Sequence, residues 1–124
     1  MHRSLSTVLA VLSAVGAFAP ALAAPCTVTD KRLIGEWLQT NGAGFFEQMK
    51  FALEKERNVF DSWLHERPEI ADGTWSLEKC VLRISGPDPA LTFVYSVNMP
   101  SNARLELREK GRGVAKYRRV KDVL

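Results

Sequence analysis

The chain has 124 residues, 46% of them hydrophobic and 25% charged, with a formal net charge of +3. That balance suits one domain with a single core and excludes a disordered chain. No histidine stands at ligand spacing from either of the two cysteines, which excludes a zinc-finger-type site.

The sequence opens MHRSLSTVLAVLSAVGAFAPALAA. Arg3 and the amino terminus make a positive start, Leu5 to Phe18 an apolar run, and Ala21-Leu22-Ala23 a small-x-small cleavage pattern. These features predict a secretory signal peptide over 1–23, cut after Ala23 or, as second choice, Ala24. The mature domain, 24–124, is then expected in the periplasm or outside the cell. The apolar run is short for a membrane span, and no later run is long enough to cross a bilayer. Lipidation at Cys26 is the alternative, but Pro25 beside it suits a lipidation box poorly. In an exported chain Cys26 and Cys80 are expected to pair. Such a bridge closes a loop of roughly 55 residues, with a stabilisation of about 4 kcal/mol in the chain-entropy model. Nucleic acid is not an expected partner of an exported protein.

After the signal the charges are sixteen basic residues against fourteen acidic ones. From Arg104 to Lys121 eight basic residues face only Glu106 and Glu109, so the rest is net acidic. A basic C-terminal face is either the solvated side of two strands or a surface for an acidic protein, an anionic lipid or a glycan.

Thr29-Asp30 is a cap for one helical turn over Lys31-Arg32-Leu33. Ile34 to Gln39 reads as a first strand and Asn41 to Gly44 as a turn. Met49, Phe51 and Leu53 alternate with Lys50, Ala52 and Glu54, which predicts a half-buried second strand. A helix over 45–56 is the competing reading, because Phe45, Met49 and Leu53 recur every fourth residue among helix formers. The strand is preferred because everything after it reads as β. The segment 54–58 is its turn. Val59 to Leu64 is the third strand, ended by His65-Glu66-Arg67-Pro68, where proline stops the ladder. Asp72-Gly73 turns into a fourth strand with Trp75 and Leu77 on one face. Glu78-Lys79 resets the parity, so Cys80, Leu82 and Ile84 point inward on the fifth. Gly86-Pro87-Asp88-Pro89 is a strong turn signal. Leu91, Phe93, Tyr95 and Val97 alternate on the sixth strand, and 99–102 turns. Leu105 and Leu107 face in on the seventh, with Arg104, Glu106 and Arg108 facing out. After a turn at 110–113, Val114 to Val120 is the last strand. The pattern predicts an all-β domain: a small eight-stranded antiparallel up-and-down barrel with one short N-terminal helical turn.

Gly35-Glu36-Trp37 after a short turn, the alternating strands and the closing Tyr117-Arg118-Arg119 resemble the lipocalin-like, or calycin, barrels. The likeness is greatest to the small bacterial lipocalin-like domains of envelope proteins. The resemblance implies that Trp37 packs across one barrel end with Arg118 or Arg119 against its ring, a favourable contact. It also permits an exported binding or inhibitory module that works through its barrel rim or its basic C-terminal strands. The alternative is a carrier of a small apolar ligand in the barrel mouth. The chain is far shorter than typical lipocalins, and Phe51, Trp75, Phe93, Tyr95 and Tyr117 are bulky inward residues, so the interior is expected to be mostly packed.

A carrier requires a cavity of about 300 Å³ or more lined by Phe93, Tyr95 and Tyr117. A partner-binding surface points instead to Trp63, His65, Arg67 and Arg118. If Phe60 and Leu64 face inward, Trp63 is an outward tryptophan among charges, as binding hot spots often are. With the opposite parity it belongs to the core. His65 with Glu66 and Glu69 is thin for a metal site. Nothing places Ser62 or Ser76 beside His65 as a nucleophile. Gly42-x-Gly44 and Gly111-x-Gly113 read as turn glycines. No catalytic residue, cofactor or metal is expected, and the protein is read as a non-enzyme.

Overall fold

A computed structural model describes residues 25–88 and 90–120. The signal peptide expected over 1–23, its cleavage sites, and Pro89 of the expected turn lie outside the described residues. Helix α1 (Asp30–Leu33) follows from Thr29, whose hydroxyl accepts the N–H of Arg32 at 3.3 Å. The strands are β1 (Gly35–Gln39), β2 (Gln48–Glu54), β3 (Arg57–Leu64) and β4 (Arg67–Glu78). They continue with β5 (Val81–Ser85), β6 (Thr92–Ser101), β7 (Arg104–Arg108) and β8 (Val114–Arg119). Each pairs antiparallel with the next, and β8 returns to β1 with Trp37 opposite Arg119 and Leu38 opposite Arg118, closing the barrel. Closure leaves no unpaired strand edge. The expected eight-stranded up-and-down barrel is therefore the fold.

Up-and-down order sorts the connections to two ends. The closed end carries α1 and the β2–β3, β4–β5 and β6–β7 turns; the open end carries loop 40–47, the β3–β4 turn and segments 86–91 and 109–113. Lys55-Glu56, His65-Glu66 and Lys79-Cys80 all have positive φ at both residues, as two-residue hairpin loops do when their twist matches the strands.

Several boundaries differ from the local reading. The segment 45–56 contains strand β2 and no helix. Leu53, expected to face inward, is exposed because β2 there extends past the end of β1 and pairs with β3 alone. Pro68 does not stop the ladder: it lies opposite Trp63 at the start of β4, where a missing N–H is tolerated. Asp72-Gly73 is a bulge inside the twelve-residue β4 and not a turn. Asp72 has φ 56° and donates its N–H to Asp61 Oδ1 at 3.0 Å, while a Cβ on Gly73 would lie 2.6 Å from the Ser85 carbonyl oxygen. Cys80 sits in the β4–β5 turn rather than on β5, partly buried against the core as expected, and bonds to Cys26 with Cα atoms 5.7 Å apart. Strand β6 continues through buried Met99 to Ser101, so the turn comes at 102–103.

One core fills the barrel. It includes Trp37, Phe46, Phe51, Phe60, Trp75 and Tyr117, with Phe93 packed against it half-buried. At the closed end the Trp37 indole donates to the Leu33 carbonyl at 2.9 Å. Arg119 lies over the indole, its guanidinium carbon 4.2 Å from the ring centroid. The same guanidinium donates to the carbonyls of Ile34 and Asn102, each at 2.8 Å, and of Arg32. A Cβ on Gly35, which has φ 136°, would stand 2.5 Å from Arg119 Nη1, so glycine there makes room for the arginine. Of the two arginines implied for this contact, Arg119 makes it and Arg118 faces outward.

Candidate functional site at the open-end rim

Loop 40–47 folds over the barrel mouth because polar side chains tie it down. Gln39 donates to the carbonyls of Gly44 (3.1 Å) and Phe46 and accepts the N–H of Gly44 at 2.9 Å. Asn41 donates to the Val114 carbonyl at 2.8 Å and accepts the N–H of Lys116 at 3.0 Å. The Tyr117 hydroxyl donates to the Phe46 carbonyl at 2.7 Å. So held, the loop drives Phe46 down into the barrel. Its ring centroid lies 5.1 Å from Phe60, 4.9 Å from Phe93 and 6.3 Å from Tyr95. Phe45 takes the opposite side of the backbone and stays 55% exposed, 5.1 Å from Phe93.

The three residues expected to line a ligand cavity are brought together, but against a plug. Phe93 and Tyr95 stack, and Phe46 packs against both. The cleft left at the mouth between Phe45, Tyr95 and Ala115 is about 20 Å³, room for about one water. Burial, reinforced by Glu109, pushes the Tyr95 hydroxyl above the ordinary tyrosine range. Burial and the neighbouring Tyr95 do the same to Tyr117, against the opposing hydrogen bond from Gln39.

Outside the plug, an open groove of about 450 Å³ runs between Leu38, Phe45, Glu47 and Leu64. Leu64 is 41% exposed rather than inward. Trp63 faces outward, because its neighbour Ser62 is the buried partner of Met49 in the register. Across the outer wall Arg118, Leu38, Gln48, Trp63 and Pro68 form one continuous row from β8 to β4. His65 and Arg67 stand beside Trp63 at the β3–β4 turn. His65 Nδ1 is 3.5 Å from Glu47 Oε2, and the His65 N–H donates to Glu47 Oε1 at 3.3 Å. Trp63, His65 and Arg67 therefore share a hairpin beside the groove, while Arg118 lies three strands away on the same row. The rim residues that sequence reasoning did not single out are Leu38, Phe45, Phe46 and Glu47. The Phe45-Phe46 pair behind two turn glycines was their visible signal.

Ser62 is buried and donates to Glu69 Oε1 at 3.2 Å, so its hydroxyl is engaged away from His65. Among the described residues no group of three or more His, Cys, Asp or Glu side chains could hold a metal ion. Among the same residues no helix is long and apolar enough to cross a membrane. No protein-family model, no curated protein and no solved structure matches the chain.

Proposed function

We propose that this chain is an exported, calycin-type binding module that grips another protein through its open-end rim and performs no catalysis. One observation carries the reading. The chain fills its own mouth with Phe46, yet leaves Phe45 and Leu64 exposed around a groove on the same rim. Apolar groups held out of an available core, beside a half-buried Trp63 and the charges of Glu47, His65 and Arg67, are the composition of a protein-binding patch. The disulfide supports folding in an oxidising compartment, and the apolar Leu5–Phe18 run supports export.

The test is native mass spectrometry of the tagged protein recovered from the periplasm of its own host. The expected result is a co-purifying protein, absent with Phe45→Asp/Leu64→Asp although that variant melts like the parent. A small molecule released only on unfolding would overturn the reading in favour of a carrier, and so would capture indifferent to the rim variant.

A further inference from the structure

The outer wall over β5, β6 and β7 carries apolar side chains and charge that the fold does not use. Val81 stands opposite Ser96 and Arg83 opposite Val94, so Val81 and Val94 are diagonal neighbours on one face. They are 38% and 41% exposed. Threonine suits a strand as valine does and meets water at lower cost, so the pair has no structural return on this face. β7 leaves the wall after Arg108, which lies opposite Ser96, whereas β5 and β6 stay paired on to Thr92. Beside Val94 the wall therefore has no next strand, and the chain turns away through Gly111 at φ 81°. The result is an open trough of about 470 Å³ lined by Val81, Val94, Ser96, Arg108, Lys110 and Gly111, with Tyr95 beneath. Three cations surround it. Arg108 and Lys110 come from the β7 side, and Arg83 faces Val94 from the β5 side. None of the three makes a hydrogen bond or ion pair among the described residues. Among the same residues no carboxylate lines the trough. On the neighbouring elements Glu109 is paired with Arg112 at 3.3 Å, and Asp88 accepts the N–H of Ala90 at 3.0 Å. Glu106, two residues before Arg108, accepts from Asn98 Nδ2 at 2.9 Å, and Glu78 lies beyond Val81 in an adjoining trough with Lys79 and Arg83.

We propose that this wall docks an acidic segment of a partner protein, with an aliphatic side chain seated on Val81 and Val94 and flanking carboxylates on Arg83 and Arg108. The lining selects that chemistry. Guanidinium groups hold carboxylates through paired N–H donors, while the valine floor rewards an apolar group between them. A bilayer presents its phosphates in a plane and offers no side chain to fill a trough. A free inorganic anion gains nothing from valine. Bases need an exposed aromatic ring to stack on, and Tyr95 is buried, its ring stacked on Phe93 inside the barrel. Closure leaves no strand edge, so the partner is read through its side chains and not by added β-pairing. The inference does not depend on the rim reading, since the rim groove is built on β1, β3 and loop 40–47.

The test is titration of the isotope-labelled protein, recovered from the periplasm, with a capped glutamate–leucine–glutamate tripeptide at low salt, followed by amide chemical shifts. The expected shifts centre on Val81, Val94, Ser96 and Arg108. Arg83→Gln/Arg108→Gln is expected to weaken binding roughly five- to 25-fold, as the loss of two exposed ion pairs. Its melting curve should not move, because neither side chain has a partner among the described residues to lose. Lys31→Gln/Lys55→Gln, both exposed, lowers the net charge equally away from this wall and is expected to stay within about two-fold of the parent. Glycine in place of the peptide's leucine is expected to weaken binding about five-fold. Equal loss in both double variants, or equal binding of the glycine peptide, would overturn the proposal by reducing the wall to a field of charge. So would a titration that moves no amide on this wall. Phosphatidylglycerol vesicles that bind the parent but not Arg83→Gln/Arg108→Gln would overturn it in favour of a lipid surface. Concentration-dependent shifts at the same amides without peptide would overturn it in favour of an interface between copies. Phe45→Asp/Leu64→Asp should leave the titration unchanged, which separates failure here from failure of the rim reading.

Discussion

Replacing Phe46 with alanine tests whether the barrel is closed by its own loop. The ring is fully buried and makes edge-on contacts with Phe45, Phe60 and Phe93. Removing such a side chain costs its transfer free energy plus a cavity term, about 3–5 kcal/mol. The cavity should persist, because the bonds from Tyr117 and Gln39 go to the Phe46 carbonyl, which alanine keeps. That favours the upper part of the range. At about 4–8 °C per kcal/mol for a domain of this size, the melting temperature should fall by roughly 15–40 °C. Phe45→Ala is the internal control: more than half of its surface is already in water, and its loss should cost under about 1 kcal/mol. Thermal and urea unfolding followed by tryptophan fluorescence gives both numbers. The Phe46→Ala cavity should also admit benzene, seen as a rise in melting temperature with added ligand. A Phe46→Ala cost no larger than that of Phe45→Ala would refute the reasoning, because Phe46 would then not be part of the core.

Three further outcomes follow from the same structure. Cys80→Ser opens a bridge spanning 54 residues and should cost about 4 kcal/mol, read as a lower urea midpoint; an unchanged midpoint would mean the thiols are not bonded. Arg119→Met removes the indole contact and the donors to three carbonyls, at an expected cost of about 2–4 kcal/mol. Arg118→Met, exposed and without a partner among the described residues, should stay within about 0.5 kcal/mol, and a reversal of that order would reassign the stacking arginine. The chain holds two tyrosines, Tyr95 and Tyr117, and burial raises both hydroxyls above their unfolded value. Their stabilising contribution is thus whole below about pH 10, where the unfolded chain would begin to ionise, and drains away as pH rises further. Tyrosinate absorbance should therefore stay flat through pH 10 and rise together with unfolding. A rise near pH 10 in the folded protein would show that the hydroxyls reach water.

Period-two alternation is a local property, so it was legible wherever a strand lies against the core without interruption. Leu82 and Ile84, Tyr95 and Val97, and Leu105 and Leu107 are buried on the faces their spacing indicated. The cap at Thr29 and the pairing of the two cysteines were equally local or forced by number. Even the choice of Arg119 over Arg118 was available in principle, since Tyr117 faces inward and Arg119 shares its parity. Asp72-Gly73 marks the other case. Positive φ at an Asp-Gly step serves a turn or a bulge alike, and only the approach of the Ser85 carbonyl from β5 shows which one is built. Pro68 likewise ends a strand or begins one according to what lies across from it. Phe45 and Phe46 are the sharpest instance. They are adjacent, identical and in a loop without period. One fills the barrel and the other meets water because distant Tyr117 and nearby Gln39 hold a single carbonyl in place. By itself the sequence determined the number and order of the strands and the pairing of the two cysteines. The closure of the mouth, and with it the exposed rim, was decided by tertiary contacts, among them one between residues some seventy positions apart that acts together with nearby Gln39.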